Sequence, residues 1–193
     1  MANVVGLINL HSDVSLKGLT ERRPVASVSF LGRYGVIDFV LSNFSNSHID
    51  KVGILVKEKP RSLLKHIGSG TAWNFNSKRG GISLLYDEKY ANSNMYNHDI
   101  NNMLENIAFL EKATEDYVVI SPAHIITTMD LSDVVEAHEK SGCDVTVVYK
   151  KIKNANETFI GSDFLKINDK QVVDFELNKG NRKDRSISLE TYV

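Results

Sequence analysis

The sequence contains little cysteine, proline or tryptophan. Its 193 residues include one cysteine, Cys143, three prolines and one tryptophan. A single cysteine excludes an internal disulfide and a cysteine-based zinc site, which favours a reducing cytoplasm. The cysteine side chain is itself predicted to be a small buried hydrophobic group beside a strand.

Long hydrophobic runs and an excess of one charge are also missing. No apolar stretch approaches the ~18 residues of a transmembrane helix, and the amino terminus lacks the basic region of a signal peptide. The net charge of −1 gives no general field that would attract nucleic acid or an anionic membrane. We therefore expect no nucleic-acid partner and no membrane partner. The apolar content of 42% is ample for one α/β domain over residues 1–193.

The first structural signal is the apolar run from Val4 to Leu10, which is typical of a buried strand in an α/β sheet. The loop after it, HSDVS, lies where such folds bind nucleotide phosphates, beyond the carboxyl end of the strand. This loop has no glycine before Gly18 and no cation before Lys17. The position of a nucleotide loop is present, but its chemistry is not.

Helices and strands are predicted to alternate after this loop. The predicted helices are Tyr34 to Asn46, a short one after Pro60 ended by Gly68 and Gly70, Asp99 to Lys112, and one from an N-cap at Asp130 to Gly142. The predicted buried strands are Val52 to Val56, Ile82 to Leu85, Tyr117 to Ile120 and Val145 to Tyr149. This order implies parallel crossovers and an α/β, Rossmann-like sheet with mostly parallel strands and flanking helices. The apolar side of the helix from Asp99 is predicted to lie in the core.

The pattern changes to β past residue 160. Phe164 to Ile167 and Val172 to Leu177 are predicted to form a hairpin around a turn at Asn168-Asp169. Asn178 to Arg185 is polar and basic, and is expected to be either a solvated loop or a phosphate-binding segment. Alternation from Ile187 is still running at Val193, which suggests a domain truncated at its carboxyl end.

Several side chains outside the first loop are candidates for chemistry. Lys57, Lys59, Arg61 and Lys65 form either a solvated face or a phosphate contact, and His66 and His138 are expected to be structural or surface histidines without a carboxylate partner. His11 and Asp13 are too close along a loop to form a fixed catalytic pair. The aromatic residues Trp73, Phe75, Tyr86, Tyr90 and Tyr96 either cap a nucleotide site or form a partner surface.

From Leu16 onward, LKGLTERRPVASVSFLGRYGVIDFVLSNFSNSHIDKVGIL resembles the amino-terminal region of glucose-1-phosphate adenylyltransferases, the ADP-glucose pyrophosphorylases of bacterial glycogen synthesis. Distinctive parts are Ile37-Asp38-Phe39, Leu41-Ser42-Asn43, Asn46-Ser47 and His66-Ile67, and the similarity resumes at Asp99 and in DYVVISPAHIITTMD. The sequence is most similar to the non-catalytic subunits of the GlgD type. The resemblance implies a carboxyl-terminal β-helix domain, which this chain lacks.

The resemblance also implies a nucleotidyl-transfer site, and this sequence departs from it at four places. The family's G-G-x-G-x-R-L loop falls on Leu10, His11, Asp13 and Ser15, its active-site lysine on Val25, its metal-binding aspartate on His124, and its G-T-A-D on His98 to Asn101. The glycines and cations of such a site support the triphosphate and its developing charge, and Mg²⁺ prefers oxygen ligands to imidazole. Arg23 is an alternative cation for the place at Val25. We therefore expect no bound metal or cofactor in this chain, and Mg²⁺ is implied for a catalytic partner.

An effector site is implied by the same resemblance. The stretch from Thr20 to Asp38 contributes in the family to the site for phosphorylated effectors, and Arg22 keeps a cation there. Ser29 and Gly35 stand where the family commonly has cation-capable residues. Effector binding is therefore predicted only through Arg22.

The leading hypothesis is a regulatory or structural subunit that is inactive or weak alone. It assembles with a catalytic homologue, as a hetero-oligomer and by expectation a tetramer, which makes ADP-glucose and diphosphate from ATP and glucose 1-phosphate in the cytoplasm. A non-catalytic module that senses a sugar phosphate or nucleotide is the second hypothesis. A weakly active transferase that uses Arg23 and a carboxylate such as Asp130 is the third.

Overall fold

Residues 3–10, 15–56, 59–75, 80–86 and 99–193 are described by a computed structural model of the protein. The chain divides into two compact units, Met1–Gly142 together with Val193, and Cys143–Tyr192. In the described residues, no helix is both long enough and apolar enough to cross a lipid bilayer.

The first unit alternates strands and helices. Its strands are β1 (Val4–Asn9), β2 (Ser29–Phe30), β3 (Tyr34–Gly35), β4 (Lys51–Val56), β5 (Gly81–Tyr86) and β6 (Tyr117–Pro122). Its α-helices are α1 (Ile37–Asn46), α2 (Arg61–Ile67), α3 (Asp99–Glu105), α4 (Ile107–Glu111) and α5 (Leu131–Ser141), with short 3₁₀ helices at Lys17–Leu19, Val25–Ser27 and Thr71–Trp73. Apart from small shifts at their ends, most of these elements lie where the apolar spacing predicts them.

Four parallel strands form the sheet of this unit, in the order β5, β4, β1, β6. Strands β1 and β4 lie inside it and are almost wholly buried, because both faces of the sheet are covered. Counted along the chain, the order is third, second, first and fourth, the order of one half of a Rossmann fold. The predicted α/β, Rossmann-like fold is confirmed.

Helix α1 supplies the centre of the core. Ile37, Leu41 and Phe44 are fully buried and recur at helical spacing on the side that faces the sheet. The ring of Phe44 lies directly over Gly6 of β1, where an added Cβ would meet the ring at 2.8 Å. Glycine at position 6 therefore allows the helix to pack close to the central strand.

Helix α5 begins and ends at the predicted residues. The side chain of Asp130 accepts a hydrogen bond from the backbone N–H of Ser132 at 2.9 Å, and Gly142 follows the helix in the left-handed conformation with φ 64°. The bonds from Ser132 lower the pKa of Asp130.

The single helix predicted from Asp99 to Lys112 is wrong, because it breaks at Asn106. The Asn106 side chain donates to the backbone oxygens of Tyr86, at 3.2 Å, and Asn102, at 3.0 Å, and such bonds compete with helical ones. Its apolar side is not core either. Ile100, Leu104 and Ile107 are 63%, 59% and 41% exposed, whereas the polar Asn102 is buried.

An ion pair joins β4 to the loop before β6. The ammonium of Lys51 donates to Glu115 Oε2 at 3.0 Å, and both side chains are largely shielded from solvent. Burial raises the pKa of Glu115, but the hydrogen bond from Lys51, backbone hydrogen bonds and the charge of Lys51 together bring it below its ordinary 4.5.

Replacing Glu115 by Gln is expected to lower the free energy of unfolding at neutral pH, because the lowered pKa means that folding favours the carboxylate. This contribution is present above the unfolded-state pKa and is lost as the pH falls through the folded-state pKa. Urea unfolding of both proteins from neutral pH downward measures it. The difference between them should shrink below about 4.5, while the exposed control Glu111→Gln should show little difference at any pH. A difference that stays constant into acid would contradict the prediction.

The second unit is antiparallel. Its strands are β7 (Val147–Ile152), β8 (Asp163–Asn168), β9 (Gln171–Leu177) and β10 (Arg185–Tyr192), in the order β7, β10, β8, β9. The predicted fourth strand, Val145 to Tyr149, begins later and pairs antiparallel with β10, so its predicted place in a parallel sheet is wrong. The predicted β8–β9 hairpin is confirmed, with a turn one residue later at Asp169 and Lys170, where φ is 47° and 67°.

Asn178 and Cys143 are corrections in this unit. Asn178 is 1% exposed, and its side-chain amide donates to the backbone oxygens of Ala155, Thr158 and Phe159 at 2.9–3.1 Å. It fastens a turn and does not belong to a solvated loop. Cys143 is exposed, so the prediction that it is a buried hydrophobic group is wrong.

Candidate functional site

The order of the parallel strands places a topological switch point between β1 and β6. In open α/β sheets, ligands bind in the crevice beyond the carboxyl ends of the strands at this point. The two ends are held together, because the backbone N–H of Ala123 donates to Asn9 O at 2.9 Å. The loops after Asn9 and after Ala123 therefore define the candidate site.

The loop after β1 begins with an apolar residue. The side chain of Leu10 is partly buried and packs against the core of the first unit, and Ser15 is exposed. His11 and Asp13 lie outside the described residues. A glycine at position 10 would leave room for a phosphate beside the backbone, and Leu10 fills that room with hydrocarbon.

Val25 opens the 3₁₀ helix Val25–Ser27, which packs on α2. Ala26 is buried, and the hydroxyl of Ser27 hydrogen-bonds that of Ser62 at 2.8 Å. A half-buried valine thus stands where the resemblance places a lysine. Arg23 and Arg22 lie just before this helix and are exposed. Their positions leave both the Arg23 alternative and the Arg22 effector contact as predictions.

His124 follows the buried Pro122 and Ala123 at the end of β6 and is partly buried. Among the residues that the structure describes, no group of three or more histidine, cysteine, aspartate or glutamate side chains is placed to hold a metal ion. An imidazole in place of a carboxylate also suits Mg²⁺ poorly. The residues present therefore do not fit the metal that the resemblance implies. His98 lies outside the described residues, and Asp99 and Asn101 fall in α3.

Two polar residues of α1 fix the loop that carries His124. The amide of Asn43 donates to Thr127 O at 3.1 Å and to Thr127 Oγ1 at 3.3 Å, and its oxygen accepts from the N–H of Met129 at 3.3 Å. Ser47 accepts from the N–H of Leu131 at 2.8 Å. Both are buried. These residues were noticed in the sequence only as parts of a motif, and the structure gives them a structural role.

Asp38 and His66 form a pair that the sequence reasoning missed. Asp38 Oδ1 lies 2.5 Å from His66 Nε2, and Asp38 Oδ2 accepts from the N–H of Gly35 at 3.0 Å. The expectation that His66 has no carboxylate partner is therefore wrong. A Cβ at position 35 would lie 2.9 Å from His66 Nε2. The pair thus occupies the space beside Gly35, where the resemblance commonly has a larger side chain.

The remaining candidates are placed separately. Lys59, Arg61 and Lys65 are exposed, as a solvated face predicts, and Lys57 lies outside the described residues. His138 is buried and meets the Tyr117 ring edge to face at 5.2 Å. Of the aromatic set, Phe75 is buried, Trp73 packs against the core and Tyr86 is exposed, while Tyr90 and Tyr96 lie outside the described residues.

The sheet order and its switch point define an α/β protein of the nucleotide-binding class. Comparison with known proteins agrees, because the nucleotidyl transferase family matches residues 15–176. The chain belongs to the nucleotidyl transferase family.

Individual relatives are consistent with this assignment. The chain is 32% identical to the glucose-1-phosphate adenylyltransferase of Fervidobacterium nodosum over 100% of its own length and 47% of the relative. It is 33% identical to that of Clostridium acetobutylicum over 91% of its length and 46% of the relative. The chain therefore spans about half the length of the curated relatives it matches. The resemblance to glucose-1-phosphate adenylyltransferases is confirmed.

A solved structure shows the same fold. It is described as a putative glucose-1-phosphate thymidylyltransferase from Bacillus anthracis in complex with a sucrose, and it superposes with a TM-score of 0.73. The match covers 98% of this chain and 70% of that one, at 14% sequence identity.

Proposed function

We propose that this chain is the nucleotidyltransferase-like part of a regulatory or structural subunit of ADP-glucose pyrophosphorylase. A catalytic homologue makes ADP-glucose and diphosphate from ATP and glucose 1-phosphate, and this subunit assembles with it in a cytoplasmic hetero-oligomer, by expectation a tetramer. The observation that supports the proposal most is the content of the switch point, where Leu10, Val25 and His124 stand in place of glycine, lysine and aspartate.

The chemistry of nucleotidyl transfer explains why these three residues matter. Moving a nucleotidyl group requires positive charge and N–H donors around the phosphates as charge develops on them. Leu10 and Val25 are half-buried hydrocarbon and supply neither, and His124 is a poor ligand for a hard cation. Because these positions act together on one transition state, losing them together should leave little turnover.

The residues that build the scaffold are kept. Asn43 and Ser47 still clamp the loop after β6, and Gly6 still admits Phe44 onto the central strand. A chain that retains the folding contacts and replaces the transfer groups suits a protein that works through assembly.

Co-expression with a catalytic homologue tests the proposal. The two chains should copurify, and the activity per catalytic subunit should rise above that of the homologue alone because assembly stabilises its active arrangement. Chromatography with light scattering gives the mass, and ADP-glucose formation gives the activity. The homologue expressed alone at the same concentration is the control.

Two results would sink the proposal. One is ADP-glucose formation by this chain alone at a rate comparable to the homologue's. The other is the absence of both a complex and a change in the homologue's activity. In that second case, calorimetric titration of the chain with ATP, ADP-glucose and glucose 1-phosphate would test the sensing alternative, which requires binding of at least one of them.

A further inference from the structure

The β2–β3 hairpin and the segment before it expose large apolar side chains. We call this the hairpin surface, and its apolar members are Leu16, Leu19, Phe30, Leu31 and Tyr34, which are 37–79% exposed. Leu31 is the most exposed of them, and it sits at the tip of the hairpin with φ 52°. A leucine held in the left-handed region and presented to solvent is unfavourable for an isolated chain. Clustered exposed apolar groups of this kind mark contact surfaces.

The hairpin surface is also basic. Residues 15–35 carry four exposed cations and one carboxylate, namely Lys17, Arg22, Arg23, Arg33 and Glu21. The guanidinium of Arg33 lies 5.8 Å from the centre of the Tyr34 ring. A small phosphorylated ligand would account for the cations but not for the leucines. A protein surface that is both acidic and apolar would account for both.

Such a surface exists at the other edge of the sheet. A groove of about 740 Å³ lies where β1 and β4 begin, and we call it the acidic groove. Its apolar members are Val4, Ile49, Leu131 and Val135, and its charged members are the carboxylates of Asp50, Glu115, Asp133, Glu136 and Glu139 with the single ammonium of Lys51. Lys51 pairs with Glu115, and Glu136 pairs with Lys140. The groove keeps an excess of negative charge after these pairs.

The two surfaces of one chain cannot meet each other. Gly35 directly precedes α1, and Ser47, which lines the groove, directly follows it. Ten helical residues separate them by about 15 Å, and the hairpin is held at the amino-terminal end of α1 by the bond from Gly35 N–H to Asp38. The complementary surface must therefore come from another molecule.

We propose that the hairpin surface of one copy of this chain binds in the acidic groove of a second copy, head to tail. The apolar tip, led by Leu31, covers the groove floor, and the arginines meet the carboxylate rim. A contact between two different surfaces of identical chains is heterologous, so it closes into a ring or extends into a chain. The inference does not depend on the proposed function, because its test includes neither a homologue nor an activity.

Sedimentation of the purified protein over a range of concentrations is the first test. The average mass should rise with concentration, and added salt should lower it because salt screens the charge pairs at the rim. Leu31→Asp should abolish the association from the hairpin side, and Glu136→Arg/Glu139→Arg should abolish it from the groove side. Circular dichroism confirms that each variant is folded. The control Leu104→Asp changes an exposed leucine on α3 and should leave the association unchanged.

Mixing the two variants distinguishes this contact from a symmetric one. Leu31→Asp retains an intact groove, and Glu136→Arg/Glu139→Arg retains an intact hairpin surface. Each should be monomeric alone, and an equal mixture should form a dimer and nothing larger, because only one productive contact remains. A monomeric wild-type protein, association that survives Leu31→Asp, or a mixture that stays monomeric would each overturn the proposal.

Discussion

Purified alone and supplied with ATP, glucose 1-phosphate and Mg²⁺, the protein is expected to form ADP-glucose on the order of 10³-fold or more slowly than an active relative. The glucose-1-phosphate adenylyltransferase of Thermosipho africanus, 32% identical over the whole chain, suits this comparison. The loss of one cation at a phosphoryl-type transition state has an effect of this size, and here Val25 replaces a lysine while Leu10 and His124 alter the phosphate loop and the metal place. The rate of ADP-glucose formation, followed by chromatography, is the measurement.

The chain spans about half of that relative, so the comparison needs a control for length. Copying Leu10, Ser15, Val25 and His124 into the matching positions of the full relative should reduce its rate to a similar extent. Copying Leu104, which is exposed and lies on α3, should not. A relative that keeps its rate with the four residues in place would show that these positions do not account for the deficit.

The parallel unit was predictable because its strands are buried on both faces. Val4 to Leu10 and Val52 to Val56 are short apolar runs, and a run of this kind between turn signals has few other structural solutions. The second unit was harder. The apolar content of Val145 to Tyr149 indicates a strand but carries no information on direction, and the antiparallel pairing with β10 depends on residues about 40 positions later.

The errors in α3 and α4 have a local physical cause. Ile100, Met103, Leu104 and Ile107 repeat at helical spacing, but periodicity cannot show whether a neighbouring element covers the stripe. The single side chain of Asn106 bonds the backbone of Tyr86, twenty residues earlier, and ends the helix. A contact of that separation is absent from any local pattern.

The candidate site was predictable in position but not in its supporting contacts. The place of the phosphate loop follows from strand order, and the unsuitable residues can be read directly. The pairing of Asp38 with His66 joins residues 28 positions apart, and the clamp from Asn43 to Thr127 joins residues 84 positions apart. Helical spacing placed Asn43 on α1, but only the fold shows what its amide holds.

Replacing Phe44 by Ala is expected to lower the free energy of unfolding by about 3–5 kcal/mol. Phe44 is fully buried, and its ring fills the space between α1 and β1 that Gly6 leaves open. Removing the ring loses its transfer free energy and leaves a cavity that the rigid sheet cannot close. Urea unfolding followed by fluorescence of Trp73, which packs against the same core, measures the change. Leu104→Ala, at a side chain 59% exposed, should change it by about 0.5 kcal/mol or less.

A double-mutant cycle between Gly6 and Phe44 tests whether the contact itself is responsible. Gly6→Ala places a Cβ 2.8 Å from Phe44 Cε1 and 3.0 Å from Cδ1, and overpacking of this kind costs about 1–3 kcal/mol. Phe44→Leu removes the edge of the ring that the new methyl group meets. The double variant should therefore be more stable than the sum of the two single losses predicts, by about 1 kcal/mol or more. Strict additivity would show that the strain at Gly6 is relieved elsewhere, and that the close approach of α1 to the central strand does not depend on this pair.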